Sequence, residues 1–354
     1  MKKVAIIGGD GIGPEVIAEG VRVIDWFRAQ RGVELELWHL DLGAERYLRD
    51  GTTFPDEIRR AISEECVAVL LGALGDARVP NFEHAREILF GMRFGFDLYA
   101  NVRPVRALAD HLVPLRGRTA KDVDFVVFRE NTEGIYANVG GQLRRGTADE
   151  IAINEDINTR KGVERIVRAA FDFARRSGRQ RVHMSDKSNA MRHAHELWLR
   201  VFHEVRAEYA EIDAQHLYID ALCLELVRDP SQFQVIVTNN LFGDIVTDLG
   251  AALQGGLGVA ASVSSNPDHP ERVKLFEPVH GSAPKLVGLG QANPVATLLC
   301  VAMLFAELGF HDASRELEAA IVGAVRDGHT TPDIGGSLDT RGATDSIIAR
   351  LTPA

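Results

Sequence analysis

The sequence predicts an α/β fold, and three observations carry that reading. Short β-rich runs alternate with helical patterns along the chain, the order that builds strand–helix–strand units. A glycine-rich turn joins the first of these strands to the first helix. No internal repeat and no low-complexity tether interrupts the alternation, so the domains are expected to be joined by crossing strands or helices. At 354 residues, with 45% hydrophobic and 25% charged residues, the chain has the size for roughly two soluble globular domains and a sizeable core.

Each element follows from its residues. VAIIG, from Val4, reads as the first strand, and MKKVAII is too short an apolar run for a secretory segment. The turn GGDGIGPE then leads into the helical PEVIAEGVRVIDWF, with Pro14 in the first helical turn, where a missing N–H is harmless. A dinucleotide loop of the GxGxxG type starting at Gly9 would need glycine where Pro14 stands, and no acidic residue ends a second strand in the expected way. A tight turn is therefore read there, not a Rossmann loop. VAVLLG, DFVVF, RVHMS, HLYID and VIVTN supply further strands. The apolar stretch from Val295 to Ala306 falls short of the ~20 residues of a membrane span and reads as a buried helix.

The formal charge of −10 gives no basic footprint, which argues against binding along nucleic acid or an anionic membrane. Small anionic substrates would need local arginines. Cys66, Cys223 and Cys300 are scattered without a CxxC pair, so neither a disulfide framework nor a zinc site is expected. A reducing cytoplasm fits that usage.

NNLFGDIVTDLG, Asn239 to Gly250, sets Asp244 and Asp248 on one face of a helix, where like charges repel by a few tenths of a kcal/mol. Such a pair is either a solvated face or a site for a hard cation such as Mg²⁺ or Mn²⁺, which prefers oxygen ligands. Asp220, at the end of HLYID and before ALCLELVRD, is a third ligand in the second reading. Mg²⁺ usually leaves part of its octahedron to water and substrate oxygens, so three aspartates still admit a guest.

RENTEGIY (Arg129 to Tyr136), SDKSNAM (Ser185 to Met191), NNLFGDIVTDLG and FEPVHGSAP (Phe276 to Pro284), with GDGIGPE at the start, resemble the metal-dependent β-decarboxylating dehydrogenases. This is the isocitrate and isopropylmalate dehydrogenase family. The resemblance runs from Val4 to the TPDIGGSLDT segment near Asp333, with five motifs in the family's order. It implies an isopropylmalate dehydrogenase-like two-domain α/β fold with a mixed β-sheet, not a Rossmann fold. Residues 1–99 with 253–354 would form the nucleotide-binding domain and residues 100–252 the substrate and dimerisation domain.

By the same resemblance Asp220, Asp244 and Asp248 hold the metal, which grips the hydroxyl and α-carboxylate of a 2-hydroxy acid with a malate core. Lys187 matches the general base and Tyr136 the acid that protonates the enol carbon. Arg93, Arg103 and Arg129 match the arginines that clamp the malate core, a task suited to the planar guanidinium. The family brings Lys187 and Asp220 from the partner subunit, so a homodimer with shared active sites is implied. Outside these motifs a loop lysine or a half-buried tyrosine would be ordinary surface.

Leu89 and Phe90 lie four and three residues before Arg93, on its helical face. Both are apolar, which suits a branched alkyl group, whereas the extra carboxylate of isocitrate or homoisocitrate would be buried unpaired there. Arg86, one turn further back, is read as surface charge, with a reach into the pocket that would admit isocitrate or homoisocitrate as the alternative. The expected reaction is oxidation and decarboxylation of 3-isopropylmalate to 4-methyl-2-oxopentanoate in leucine biosynthesis, with D-malate or tartrate as the alternative. Asn189, Glu277, His280, Gly281, Ser282, Ala283 and Asn293 match the family's cofactor contacts. Lys285 stands where NAD-using members carry an aspartate, but Leu286 replaces the tyrosine found beside that lysine in NADP-using relatives. NAD is favoured and NADP stays open. A regulatory subunit without turnover is the non-enzyme alternative, and such subunits lose base, acid or metal ligands that this chain keeps.

Overall fold

The computed structural model describes residues 1–351. By its internal contacts the chain forms two compact units, one of residues 1–98, 106–123 and Ala251 onward, the other of residues 99–105 and 124–250. The expected boundaries at 99/100 and 252/253 did not separate residues 106–123, which are counted with the first unit.

The chain opens with β1 (Lys2–Ile7), α1 (Gly13–Arg31), β2 (Leu35–Leu40), α2 (Ala44–Asp50), α3 (Asp56–Glu65), β3 (Cys66–Leu71) and α4 (Glu83–Gly95). Pro14 does sit in the first turn of α1. The second unit follows with β4 (Ala100–Arg106), β5 (Asp124–Glu130), the strands β6 (Gly140–Leu143) and β7 (Ile151–Asn154), α5 (Arg160–Ser177), β8 (Arg181–Asp186), α6 (Arg192–Arg206), β9 (Asp213–Tyr218), α7 (Ile219–Arg228), β10 (Val235–Thr238) and α8 (Asn240–Gln254). The first unit then resumes with β11 (Ala261–Ser265), β12 (Lys274–Pro278), α9 (Val295–Glu307), α10 (His311–Arg326) and α11 (Thr340–Ile348).

In the first unit the strand order is β2-β1-β3-β12-β11. β1 runs parallel to β2 and β3, β12 runs parallel to β3, and β11 is antiparallel to β12, with Val263 opposite Phe276. The sheet is therefore mixed, as expected, and its order is not that of a Rossmann domain. Ala5, Ile7, Val69, Leu71 and Leu275 of these strands pack against Ile62 of α3 and Ile88 and Met92 of α4. α9 is apolar on every side and buried, with Val295, Leu298, Val301 and Phe305 excluded from solvent.

In the second unit the order is β4-β5-β10-β8-β9, with β5, β10, β8 and β9 mutually parallel. Val126, Phe128, Val182, Met184, Val235 and Val237 form one core with Val163 and Phe171 of α5 and Trp198 and Phe202 of α6. Full burial of each of these side chains contributes about 1.5–3 kcal/mol. β6 and β7 pair with each other as an antiparallel hairpin that is exposed throughout. Among the described residues no helix is long and apolar enough to cross a membrane.

One expected strand end differs. β9 stops at Tyr218, and Asp220 lies in the first turn of α7 instead of closing HLYID. A carboxylate is favoured there by the unpaired N–H groups at a helix start.

Candidate active site

β10 delivers the chain to α8, where the Asn239 Oδ1 accepts the Phe242 N–H at 2.8 Å and caps the helix. Asn240, Asp244, Thr247 and Asp248 then share one helical face. The last residues of β5 bring Arg129 against it, almost fully buried. A Cβ on Gly243 would stand 2.5 Å from Arg129 Cγ, so only glycine lets the arginine cross the helix. Arg129 Nη1 donates to Asp244 Oδ1 at 2.6 Å, while Nε and Nη2 donate to Asn240 Oδ1 at 3.0 and 2.8 Å. Arg103 arrives from β4, also buried. It donates to Asn101 Oδ1 at 2.7 Å and Thr247 Oγ1 at 2.6 Å, and its Nη2 lies 3.5 Å from Asp244 Oδ1.

Tyr136 sits in a helical turn after β5, and its hydroxyl donates to Asp244 Oδ2 at 3.0 Å. The turn is shaped by Glu130, whose carboxylate accepts the Thr132 and Glu133 N–H groups at 2.9 and 2.7 Å. Burial pushes the Glu130 carboxyl up to about 6 in spite of those donors.

The second unit thus gathers two guanidiniums, a phenol and a carboxylate around α8. Burial, and then the charge of Asp244, raise the Asp248 carboxyl above its ordinary value. This is the repulsion that a cation between the two would offset. The donor set of hard carboxylate oxygens beside arginines suits Mg²⁺ or Mn²⁺ with an acidic guest.

Lys187 and Asp220 are held apart from this group, paired with each other. The hydrogen bond from Lys187 lowers the Asp220 carboxyl. Among the described residues of one chain no three His, Cys, Asp or Glu side chains stand together as a metal-holding group. Asn189 is exposed in the turn between Lys187 and α6.

In the first unit Arg93, buried at the end of α4, donates to Glu277 Oε1 at 2.9 Å. Leu89 leans on the core of that unit, and the Phe90 ring meets that of Phe94 at 5.6 Å. Arg86 is exposed. The segment of His280, Gly281, Ser282 and Ala283 docks on the glycine-rich turn, where Ile12 N–H donates to Ser282 O at 3.0 Å. A Cβ on Gly11, whose φ is +60°, would fall 2.0 Å from that carbonyl oxygen.

His280 Nδ1 lies 3.1 Å from Gly281 O and donates to it, which makes Nε2 the acceptor. That atom is buried without a hydrogen-bond partner, and burial lowers the imidazole's affinity for a second proton. An unpaired buried acceptor fits an amino group such as adenine offers. Asn293 is occupied at both ends, by Asp333 at 3.0 Å and by the Val295 N–H at 2.9 Å. It caps α9. Lys285 is exposed.

Sequence reasoning passed over Asn101, Asn240 and Thr247, although the last two lie four residues before and three after Asp244 and share its helical face. Asn101 and Thr247 hold Arg103, and Asn240 holds Arg129.

Buried arginines and clustered carboxylates on a mixed α/β frame define a class: proteins that hold small polycarboxylic acids. A family model described as isocitrate/isopropylmalate dehydrogenase matches residues 3–350. The 3-isopropylmalate dehydrogenase of Thermobifida fusca is 43% identical over 99% of this chain and 97% of its own. That of Streptomyces coelicolor is 44% identical over 95% and 97%. Among solved structures, the isocitrate dehydrogenase of Methylococcus capsulatus superposes with a TM-score of 0.89 at 34% identity, covering 99% of both chains. The chain belongs to the isocitrate/isopropylmalate dehydrogenase family.

Proposed function

We propose that this protein oxidises and decarboxylates 3-isopropylmalate to 4-methyl-2-oxopentanoate in leucine biosynthesis, as a cytoplasmic homodimer with shared active sites. The reading is carried by the convergence of Arg103, Arg129 and Tyr136 on Asp244, one turn from Asp248. Relatives at 41–44% identity named 3-isopropylmalate dehydrogenase support it.

Arg93, Arg103 and Arg129 hold the two carboxylates and aim the hydroxyl-bearing carbon. Asp244 and Asp248, completed by Asp220 of a second copy, hold Mg²⁺ or Mn²⁺. Bound there, the cation would supply Lewis-acid polarisation, and a bound NAD(P) would supply the hydride acceptor. Lys187 of the second copy removes the hydroxyl proton, and Tyr136 returns a proton to the carbon that has lost CO₂. Leu89 and Phe90 receive the isopropyl group. His280 to Ala283, with Asn189, Glu277 and Asn293, form the NAD side, and Lys285 leaves NADP as the alternative.

The similarity to a solved isocitrate dehydrogenase favours isocitrate as a second reading. A steady-state panel of 3-isopropylmalate, D-malate, tartrate, isocitrate and homoisocitrate, each with NAD and NADP, decides between them. The highest kcat/KM is expected for 3-isopropylmalate, and a higher value for any other acid would overturn the assignment.

A further inference from the structure

The segment that leaves the β6–β7 hairpin makes a contact with each of three successive residues. Ile157 O accepts the Gly134 N–H at 2.7 Å, two residues before Tyr136. Asn158 Oδ1 accepts the Trp198 Nε1–H at 2.7 Å. Asp156 Oδ2 faces His195 Nε2 at 3.3 Å. His195 lies in the first turn of α6, fully buried, and its other nitrogen, Nδ1, accepts the backbone N–H of Lys187 at 2.8 Å.

These contacts determine where the imidazole hydrogen is. A backbone N–H can only donate, so Nδ1 must present its lone pair and the ring hydrogen sits on Nε2. Two donors face the ring, and at 2.8 Å against 3.2 Å the Lys187 N–H is closer than the Asn239 amide. The Asn239 Oδ1 is taken by the Phe242 N–H at 2.8 Å, which leaves its amide nitrogen 3.2 Å from Nε2 with no acceptor to offer. Asp156 Oδ2, buried and completing no hydrogen bond of its own, is the carboxylate oxygen that stands 3.3 Å from Nε2. The Phe242 ring meets the imidazole edge-on at 5.4 Å and restrains its plane.

We propose that His195 is a positioning residue for Lys187, with Asp156 fixing its tautomer. The inference rests on Lys187 being the general base, and it assigns a role to two residues that lie outside the family motifs read in the sequence. The lysine reaches its target from a turn between β8 and α6. The imidazole ties the backbone of that turn to the helix, so the side chain starts from one place. A misplacement of about 1 Å costs on the order of a hundredfold in rate. The same hairpin exit holds the Tyr136 turn through Gly134, so the acid and the base of one copy hang from a single short segment.

The test uses the full-length protein with saturating Mn²⁺ and 3-isopropylmalate. His195→Leu is expected to lower kcat about tenfold to a hundredfold. KM for the acid should change by less than about threefold, because the arginines are untouched. The limb of the kcat–pH profile that disappears in Lys187→Met should move. His195→Asn, whose Oδ1 can replace Nδ1 as the acceptor, should recover most of the lost turnover.

An unchanged kcat and pH profile in His195→Leu, or equal losses in the Asn and Leu variants, would overturn the proposal. Full turnover by Lys187→Met would instead remove the base assignment on which it rests. If the His195 variants do not fold, long-range ¹H–¹⁵N spectra of the unmutated protein decide. The signal is identified by scalar coupling between the His195 Nδ1 and the Lys187 amide. A ring hydrogen on Nε2 is expected; absence of that coupling, or a hydrogen on Nδ1, refutes the arrangement.

Discussion

The Tyr136 hydroxyl donates to Asp244 Oδ2 at 3.0 Å, so the proposed acid rests on one of the proposed metal carboxylates. Removing the hydroxyl leaves that carboxylate with Arg129 and Arg103. Tyr136→Phe should therefore bind Mn²⁺ within about threefold of the unmutated protein while kcat falls about a hundredfold to ten-thousandfold. Calorimetric titration and steady-state rates check both numbers, and parallel loss of metal affinity and turnover would contradict the separation of roles.

Asp248 is raised by burial and by Asp244, so its ionised form disfavours the folded chain. For a carboxyl raised on folding, the penalty is present above the folded value and disappears as pH falls through it. Asp248→Asn should lift the metal-free midpoint at pH 7.5 by about 1–2 °C, a shift kept small by solvent screening. The same variant should lose the stabilisation that Mg²⁺ or Mn²⁺ gives the unmutated protein. Thermal melts with EDTA and with metal measure the two effects.

Phe90 touches the neighbouring Phe94 ring, whereas Leu89 also supports the core. Phe90→Ala is thus the cleaner probe of the alkyl pocket. Its kcat/KM for 3-isopropylmalate should drop about tenfold to a hundredfold, with the value for malate nearly constant. A uniform fall for both acids would remove Phe90 from specificity.

Lys285 is exposed where a ribose-binding aspartate would stand in NAD-using relatives. Lys285→Asp should lower kcat/KM with NADP about tenfold, the effect of losing one charge-assisted bond, and raise it with NAD. NADP use unaltered by the change would eliminate the phosphate contact.

His183 lies buried on β8 against the Phe233 ring, and burial lowers it from 6.5 to about 4. The unfolded chain takes up this proton as pH falls through 6.5, while the folded chain resists until about 4. Stability should therefore decline across that window. The ceiling is on the order of 3 kcal/mol, and His183→Phe should remove this part of the acid loss in denaturant titrations at pH 7 and pH 4.5.

Most strands legible in the sequence are buried on both faces, such as VAIIG and VAVLLG, while β9, read from HLYID, is legible although half exposed. β2, LELWHL, is half exposed, and β4, ANVRPVR, carries two arginines and Pro104, so neither shows a clear apolar signal. β6 and β7 have no buried residue at all. The acidic pair on α8 was visible from its spacing, because helical period alone brings Asp244 and Asp248 to one face. Arg103 and Tyr136 come from other elements, and only motif resemblance pointed to them. His195 offered no signal: it lies eight residues from Lys187, and only the turn before α6 folds its ring back onto that backbone.

The strand order of the first unit also governs how it can be made. β3 is flanked by β1, already synthesised, and by β12, encoded about 200 residues later. At the ribosome's ~5–20 residues per second, the apolar edge of Cys66–Leu71 waits on the order of 10–40 seconds for its neighbour. Throughout that interval the nascent chain presents an unpaired strand to the cell, so its yield depends on whatever shields that edge until translation is done.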